Sequence, residues 1–216
     1  MVAVSRVVFI NLMNYVEEHP RHAHPPLDMG YSMQLLRDKG YECKLFEIRK
    51  KRDLEIVIKY ILLNKPELVV IKVFTNEEVF WRLVTTIKSY YRPFFLFIGP
   101  VASLNPENFI RDSSDFILLG EFEEKLPFVV SLFLNKNTKK LKKLSFIFYR
   151  GKRKKRYIYV KDLDKLPYPH AIFNKNLYTF FYPIGMNKRV KLWFILSSKG
   201  CNYSCIFCSP ITRVSF

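Results

Sequence analysis

No apolar run in these 216 residues approaches the roughly 18 to 20 needed to span a bilayer, so a membrane helix is not expected. The opening stretch MVAVSRVVFINLMN has no basic leading region and no small-residue cleavage site, and it does not read as a signal peptide. Four cysteines are too few for a disulfide scaffold, and three of them fall within eight residues, which points to metal chemistry in a reducing, cytoplasmic compartment. Internal repeats are missing apart from an alternation of strand and helix patterns. Acidic residues are missing from one long segment: Lys125 to Lys161 holds 13 basic residues and no acidic one. The rest of the chain carries 23 basic residues against 19 acidic, so nearly all of the +17 net charge sits in that segment. It is expected to be either a solvated lysine-rich hairpin or a contact for an anionic partner.

What is present is an ordinary globular balance, 49% apolar and 25% charged, with enough apolar surface to exclude disorder over most of the chain. Five apolar runs read as buried strands: Val2 to Leu12, YECKLFEI, ELVVIKVF, PFFLFIG and DFILLG. Helical patterns separate them. Pro25 and Pro26 open the first helix, with Leu27, Tyr31, Leu35 and Leu36 on one face and Gly40 as its stop. DLEIVIKYILLNK, NEEVFWRLVTTIKSYY with Asn76 as N-cap, NPENFIRDS and a last helix, EEKLPFVVSLFLNK, follow. The alternation predicts an α/β fold built on a doubly wound, five-stranded parallel sheet, Rossmann-like or flavodoxin-like, over residues 1–137. Ligands of such sheets bind at the carboxyl ends of the strands. Candidate contacts are therefore Asn11 to Asn14, Phe74, Thr75 and Asn76, Gly99, Pro100 and on to Ser103, and Gly120 with Glu121.

The pattern changes after Asn137. KKLSFIFYRGKRKKRYIYVKDL reads as a β-hairpin around a basic turn at Gly151, and Pro167 and Pro169 mark an extended connector; together they form a second region, 138–190. RVKLWFILSS then gives one more apolar strand. A third region, 191–216, contains Cys201, Cys205 and Cys208 in the spacing CxxxCxxC. Three thiolates in one short loop can hold three irons of a [4Fe–4S] cube and leave the fourth open for a substrate or cofactor. Structural zinc generally takes four protein ligands, and only three are local here. Zinc with a distant fourth ligand, or three unrelated cysteines, are the competing readings. Cys43 reads as a small core residue.

GCNYSCIFC, directly after a strand, resembles the cluster loop of radical S-adenosylmethionine enzymes. The resemblance implies that Cys201, Cys205 and Cys208 ligate a [4Fe–4S] cluster, that S-adenosylmethionine binds its open iron, and that Phe207 lies near the adenine. PPLDMGYSMQLLRDKGYECKLFE, GPVASLNPENF, DFILLGEFEEKLPFVVSLF and LPYPHAIF resemble segments of the cobalamin-binding domain and connector of one large subgroup of that family. This implies a cobalamin cofactor and assigns Phe74, Thr75, Gly99, Pro100, Gly120 and Glu121 to cofactor binding. It also implies reductive cleavage of S-adenosylmethionine to start radical chemistry, with methyl transfer in many relatives. The sequence departs from the subgroup at Pro100, which stands where a second glycine is usual, and at Phe122, the third position of the GEGE segment. It has no DxHxxG motif, and His19, His22 and His24 read as plain loop residues. Only eight residues follow Cys208, so the chain is expected to hold just the first strand and cluster loop of a truncated barrel. It is expected to be inactive alone, completed by a longer parent chain or a second chain. No catalytic acid or base is assigned. Three alternatives stand beside this one: a methylthiotransferase relative acting on tRNA, a basic metal- or nucleic-acid-binding module, and a decayed product.

Overall fold

The computed structural model describes residues 6–12, 25–73, 77–169, 172–173, 195–201, 203 and 205–207, and the backbone of 179–181 and 189–191. Its centre is a six-stranded sheet of β1 (Val7–Leu12), β2 (Cys43–Ile48), β3 (Leu68–Lys72), β4 (Phe94–Ile98), β5 (Asp115–Leu118) and β6 (Ile147–Tyr149). The order is β2-β1-β3-β4-β5-β6. The first five strands are parallel, as the apolar runs predict, and β6 adds antiparallel to β5 with Ile147 opposite Leu118 and Tyr149 opposite Phe116. The five-stranded parallel sheet expected from sequence is therefore a mixed sheet of six.

Alternate residues of each strand serve opposite faces, because side chains in a strand point up and down in turn. Val8, Ile10, Val69, Ile71, Phe95 and Phe97 face α2 (Lys51–Asn64) and α3 (Glu77–Tyr90). Val7, Phe9, Leu68, Val70, Leu96 and Ile98 face α1 (Leu27–Asp38), α5 (Leu126–Leu134) and α6 (Thr138–Lys143). Asp53 starts α2 by accepting the Lys50 N–H at 2.9 Å, and Lys65 ends it in the left-handed conformation, φ 45°. The aromatic residues, to which sequence alone gave no role, build both cores: Phe80 meets Phe97 and Phe109 edge-on at 4.9 and 5.2 Å, and Phe116 meets Phe133 at 5.2 Å.

Several local expectations are corrected. The helix after β4 is α4 (Pro100–Leu104), followed by a 3-10 turn at Pro106–Phe109, and α5 is followed by α6 rather than closing the helical series. On α1 the fully buried side chains include Met29, Met33 and Leu36, while Leu27 and Leu35 are only half-buried. A second face of α1 is covered by the connector: a Cβ on Gly30 would lie 2.7 Å from Pro169 Cβ and would collide with the Phe173 ring. The hairpin over 138–160 does not form. Leu119 and Glu121 lie beyond the end of β6, and their backbone groups need partners. Ile158 supplies them, donating its N–H to Leu119 O at 3.1 Å and accepting from Glu121 N at 2.8 Å. The basic run 150–156 therefore climbs from the amino edge of the sheet to its carboxyl edge instead of pairing with β6. Of RVKLWFILSS the described residues include a short β8 (Arg189–Lys191), paired antiparallel with β7 (Thr179–Phe181), and 195–199 without regular structure; residues 192–194 lie outside the described residues. Cys43 is half-buried on the edge strand, and burial pushes its thiol pKa up to about 12. Among the described residues no helix is long and apolar enough to cross a membrane.

Candidate functional site

Two tight turns form the carboxyl edge. After β4 the chain turns at Gly99, φ 99°, where a Cβ would press on Val73 O at 3.2 Å. Pro100 then occupies the first helical position of α4, where a missing N–H costs nothing. After β5 it turns at Gly120, φ 93°, and a Cβ there would lie 2.7 Å from Ile158 N and clash with the Ile158 carbonyl. Ser103, fully buried, ties the turns together: its N–H donates to Gly99 O at 3.1 Å, and its hydroxyl accepts the Gly120 N–H at 3.0 Å. Both glycines are thus demanded by the packing of this chain's own backbone.

Charged side chains gather around these turns. Asp28, in the first turn of α1, pairs with Lys72 at the end of β3 at 2.6 Å. The Glu121 carboxylate accepts the Val160 N–H at 2.5 Å. Glu123, with a side chain that is 0% exposed, is ion-paired with Lys199, whose ammonium also lies 3.7 Å from Glu121. Burial raises the Glu123 pKa; Lys199 opposes that shift and Asp28 adds to it. Glu123 Oε2 is buried with no hydrogen-bond partner among the described residues. Such an atom inside a polar edge is an unused acceptor.

Lys199 stands two residues before Cys201, so its pairing brings the cysteine loop onto the sheet edge. Between them lies a cleft of about 290 Å³, walled by Gly99, Pro100, Gly120 and Glu121 on one side and by Gly200 and Cys201 on the other. Asp28, Phe122 and Lys199 complete its lining. Four of the cofactor-binding residues expected from sequence are therefore brought together with one of the three expected metal ligands. Cys205 is half-buried and does not line the cleft. Phe207 is 89% exposed and does not line it either. Cys208, Phe74, Thr75 and Asn76 lie outside the described residues, as do Met13 and Asn14 and the three histidines His19, His22 and His24. Among the described residues no three His, Cys, Asp or Glu side chains are gathered as metal ligands.

Sequence reading reached Ser103 and missed Asp28, Lys72, Glu123 and Lys199. A signal for the last pair was available: a glutamate at alternate positions after β5, and a lone cation just before the first cysteine of the loop.

Soft thiolates at 201 and 205, one on the cleft wall, suit an iron–sulfur cluster. A corrin is several times larger than the cleft. The turns at Gly99 and Gly120 form one wall of the cleft; residues 13–24 and 74–76, which follow β1 and β3 in the chain, lie outside the described residues.

No protein-family model and no curated protein matches the sequence. Solved structures do match in fold. One is the cobalamin-dependent S-adenosylmethionine radical enzyme OxsB with aqua-cobalamin and S-adenosylmethionine bound: TM-score 0.62, 19% identity, covering 74% of this chain and 23% of that one. The selenomethionine-labelled apo form of OxsB matches at TM-score 0.54 and 16% identity over the same shares. The radical S-adenosylmethionine methyltransferase TsrM from Kitasatospora setae matches at 0.48 and 18% identity, over 61% of this chain and 26% of that one. The likeness is one of fold, and the chain spans about a quarter of the length of these enzymes.

Proposed function

We propose that this chain is the cofactor-binding portion of a radical S-adenosylmethionine enzyme of the cobalamin type. Cys201, Cys205 and Cys208 are its cluster ligands. The observation that carries the proposal is that Cys201 shares one cleft with the turns after β4 and β5. Cys201, Cys205 and Cys208 would hold a [4Fe–4S] cluster there, and that cluster would supply the one-electron reduction needed to cleave S-adenosylmethionine. The chain's own residues do the rest of the work assigned here. Lys199 anchors the cysteine loop to Glu123 and Glu121. Gly99 and Gly120 let the two turns close on Ser103. Gly200 and Cys201 leave room in the cleft for a small polar group, on the scale of the amino-acid end of S-adenosylmethionine. Phe207, exposed on the same loop, is free to stack on an adenine.

Cobalamin is proposed as a second cofactor at the same edge on the strength of the fold shared with cobalamin-bound OxsB. No substrate-binding residue is assigned among the described residues. Anaerobic reconstitution with iron and sulfide tests the main reading: about four of each per chain is expected, with absorbance near 400 nm. A single tightly held zinc would favour the metal-module alternative. Titration with hydroxocobalamin, followed by its visible spectrum, tests the second cofactor separately.

A further inference from the structure

The acid-free segment acquires a definite shape in the fold. Lys142 of α6 and Lys152, just past β6, lie 5.3 and 5.7 Å from the same Tyr149 ring, so the helix and the basic run meet at one place. From there the band continues over the 3-10 turn. Arg150 donates to Arg111 O at 3.4 Å, Arg111 lies over the Trp81 ring at 3.4 Å, and Lys155 pairs with Glu107 at 2.8 Å. Some of these cations serve the protein itself. Lys152 donates to the carbonyls of Leu144 and Ile147 at 2.5 and 2.7 Å, closing the loop between α6 and β6. Lys139, Lys140, Lys142, Lys143, Arg153, Lys154 and Arg156 are all exposed, and none has a carboxylate within ion-pair distance among the described residues.

We infer that the band formed by α6 and residues 150–156 binds a nucleic-acid backbone. Seven exposed like charges on two segments that meet at Tyr149 repel one another, and phosphates relieve that repulsion while releasing condensed counterions. After a turn at 150–151 the run climbs from the level of Phe116 to that of Gly120, about 13 Å, enough to meet more than one phosphate. An anionic membrane suits the band less well. Of the large exposed apolar side chains described, only Phe128 borders it, and Lys140 sits over that ring at 5.6 Å. The band shares no residue with the cleft walls, so this inference stands or falls independently of the cofactor reading.

The test uses the full chain and labelled oligouridylate and oligothymidylate of about 20 nucleotides, followed by fluorescence anisotropy across a salt series. About five phosphate contacts to a single strand predict a slope of log K against log salt near −3.5. A variant with Lys143, Arg153, Lys154 and Arg156 changed to Gln should lose about tenfold or more in affinity at about 0.1 M salt. A control with the exposed Lys51, Arg52, Lys59 and Arg92 changed to Gln removes the same charge elsewhere and should lose less than about threefold. Circular dichroism confirms that both remain folded. Equal binding of the two polymers assigns recognition to the phosphodiester backbone, and preference for the first assigns part of it to the 2′-hydroxyl; either supports the inference. Equal losses in the two variants would overturn it. So would binding to phosphatidylserine vesicles with neither polymer bound.

Discussion

At the amino edge of the sheet, Lys88 in the last turn of α3 bridges Asp112 and Asp115 at 2.7 and 2.5 Å. At the carboxyl edge, Lys199 bridges Glu123 and Glu121. The two clusters have the same composition, one lysine and two carboxylates, one of them fully buried. They differ in how completely they are satisfied. Asp115 also accepts the N–H groups of Arg111 and Asp112 at 3.0 and 3.1 Å, so both its oxygens are used within the local loop. Glu123 keeps one buried oxygen without a partner among the described residues, and its ion-pair partner Lys199 lines the cleft. A fully satisfied cluster stabilises its edge, whereas a buried acceptor left without a partner costs free energy. The same sheet thus ends in a closed cluster on one side and an incomplete one on the other.

Substitutions separate the two ends. The largest effect belongs to Gly120→Ala, which demands φ 93° of a residue with a Cβ and drives that atom into the Ile158 backbone. Loss of about 4 kcal/mol or more is expected in urea unfolding, with the 158–160 segment released. Lys88→Met comes next. It leaves the Asp115 carboxylate buried without its cation, and about 3 kcal/mol or more should be lost.

Acid should weaken the amino-edge cluster through Asp112. Burial opposes ionisation of Asp112, but hydrogen bonds from Lys88 and Ser114 outweigh it and lower the carboxyl pKa from 3.8 to about 2. The resulting stabilisation is fully present above the ordinary value of 3.8 and is lost as pH falls through about 2. Thermal melts between those limits should show a falling midpoint, and Asp112→Asn should flatten that part of the profile.

The smallest global effect is expected at the carboxyl edge. Glu123→Gln removes a buried charge from a pair whose lysine still reaches water, so overall stability should change by only about 1 kcal/mol. Its signature is local: amide exchange over 199–201 should quicken about tenfold as the loop leaves the edge. A large global loss with no local change would erase the contrast between the two ends.

Much of this architecture is legible in the sequence because it rests on short-range patterns. Four of the five parallel strands are largely apolar runs, β2 at the edge carrying Lys44 and Glu47, and the turns at Gly99 and Gly120 sit where strand runs end. What escaped detection depends on contacts between distant segments. The failed hairpin is one case: Tyr157 and Ile158 read as a strand next to β6, yet backbone groups at Leu119 and Glu121 capture them. The buried face of α1 is another, since Pro169 and Phe173 cover a side that periodicity assigns to solvent. Lys199 and Glu123 are 76 positions apart, and no local rule joins them.

The central claim is that the cysteine loop carries a cluster at the carboxyl edge. Its most direct test is the iron and sulfide content of the anaerobically reconstituted chain beside that of a Cys201→Ala variant. The account predicts about four of each per chain in the first and a marked loss in the second. Little iron in both, or one zinc retained by both, would contradict it.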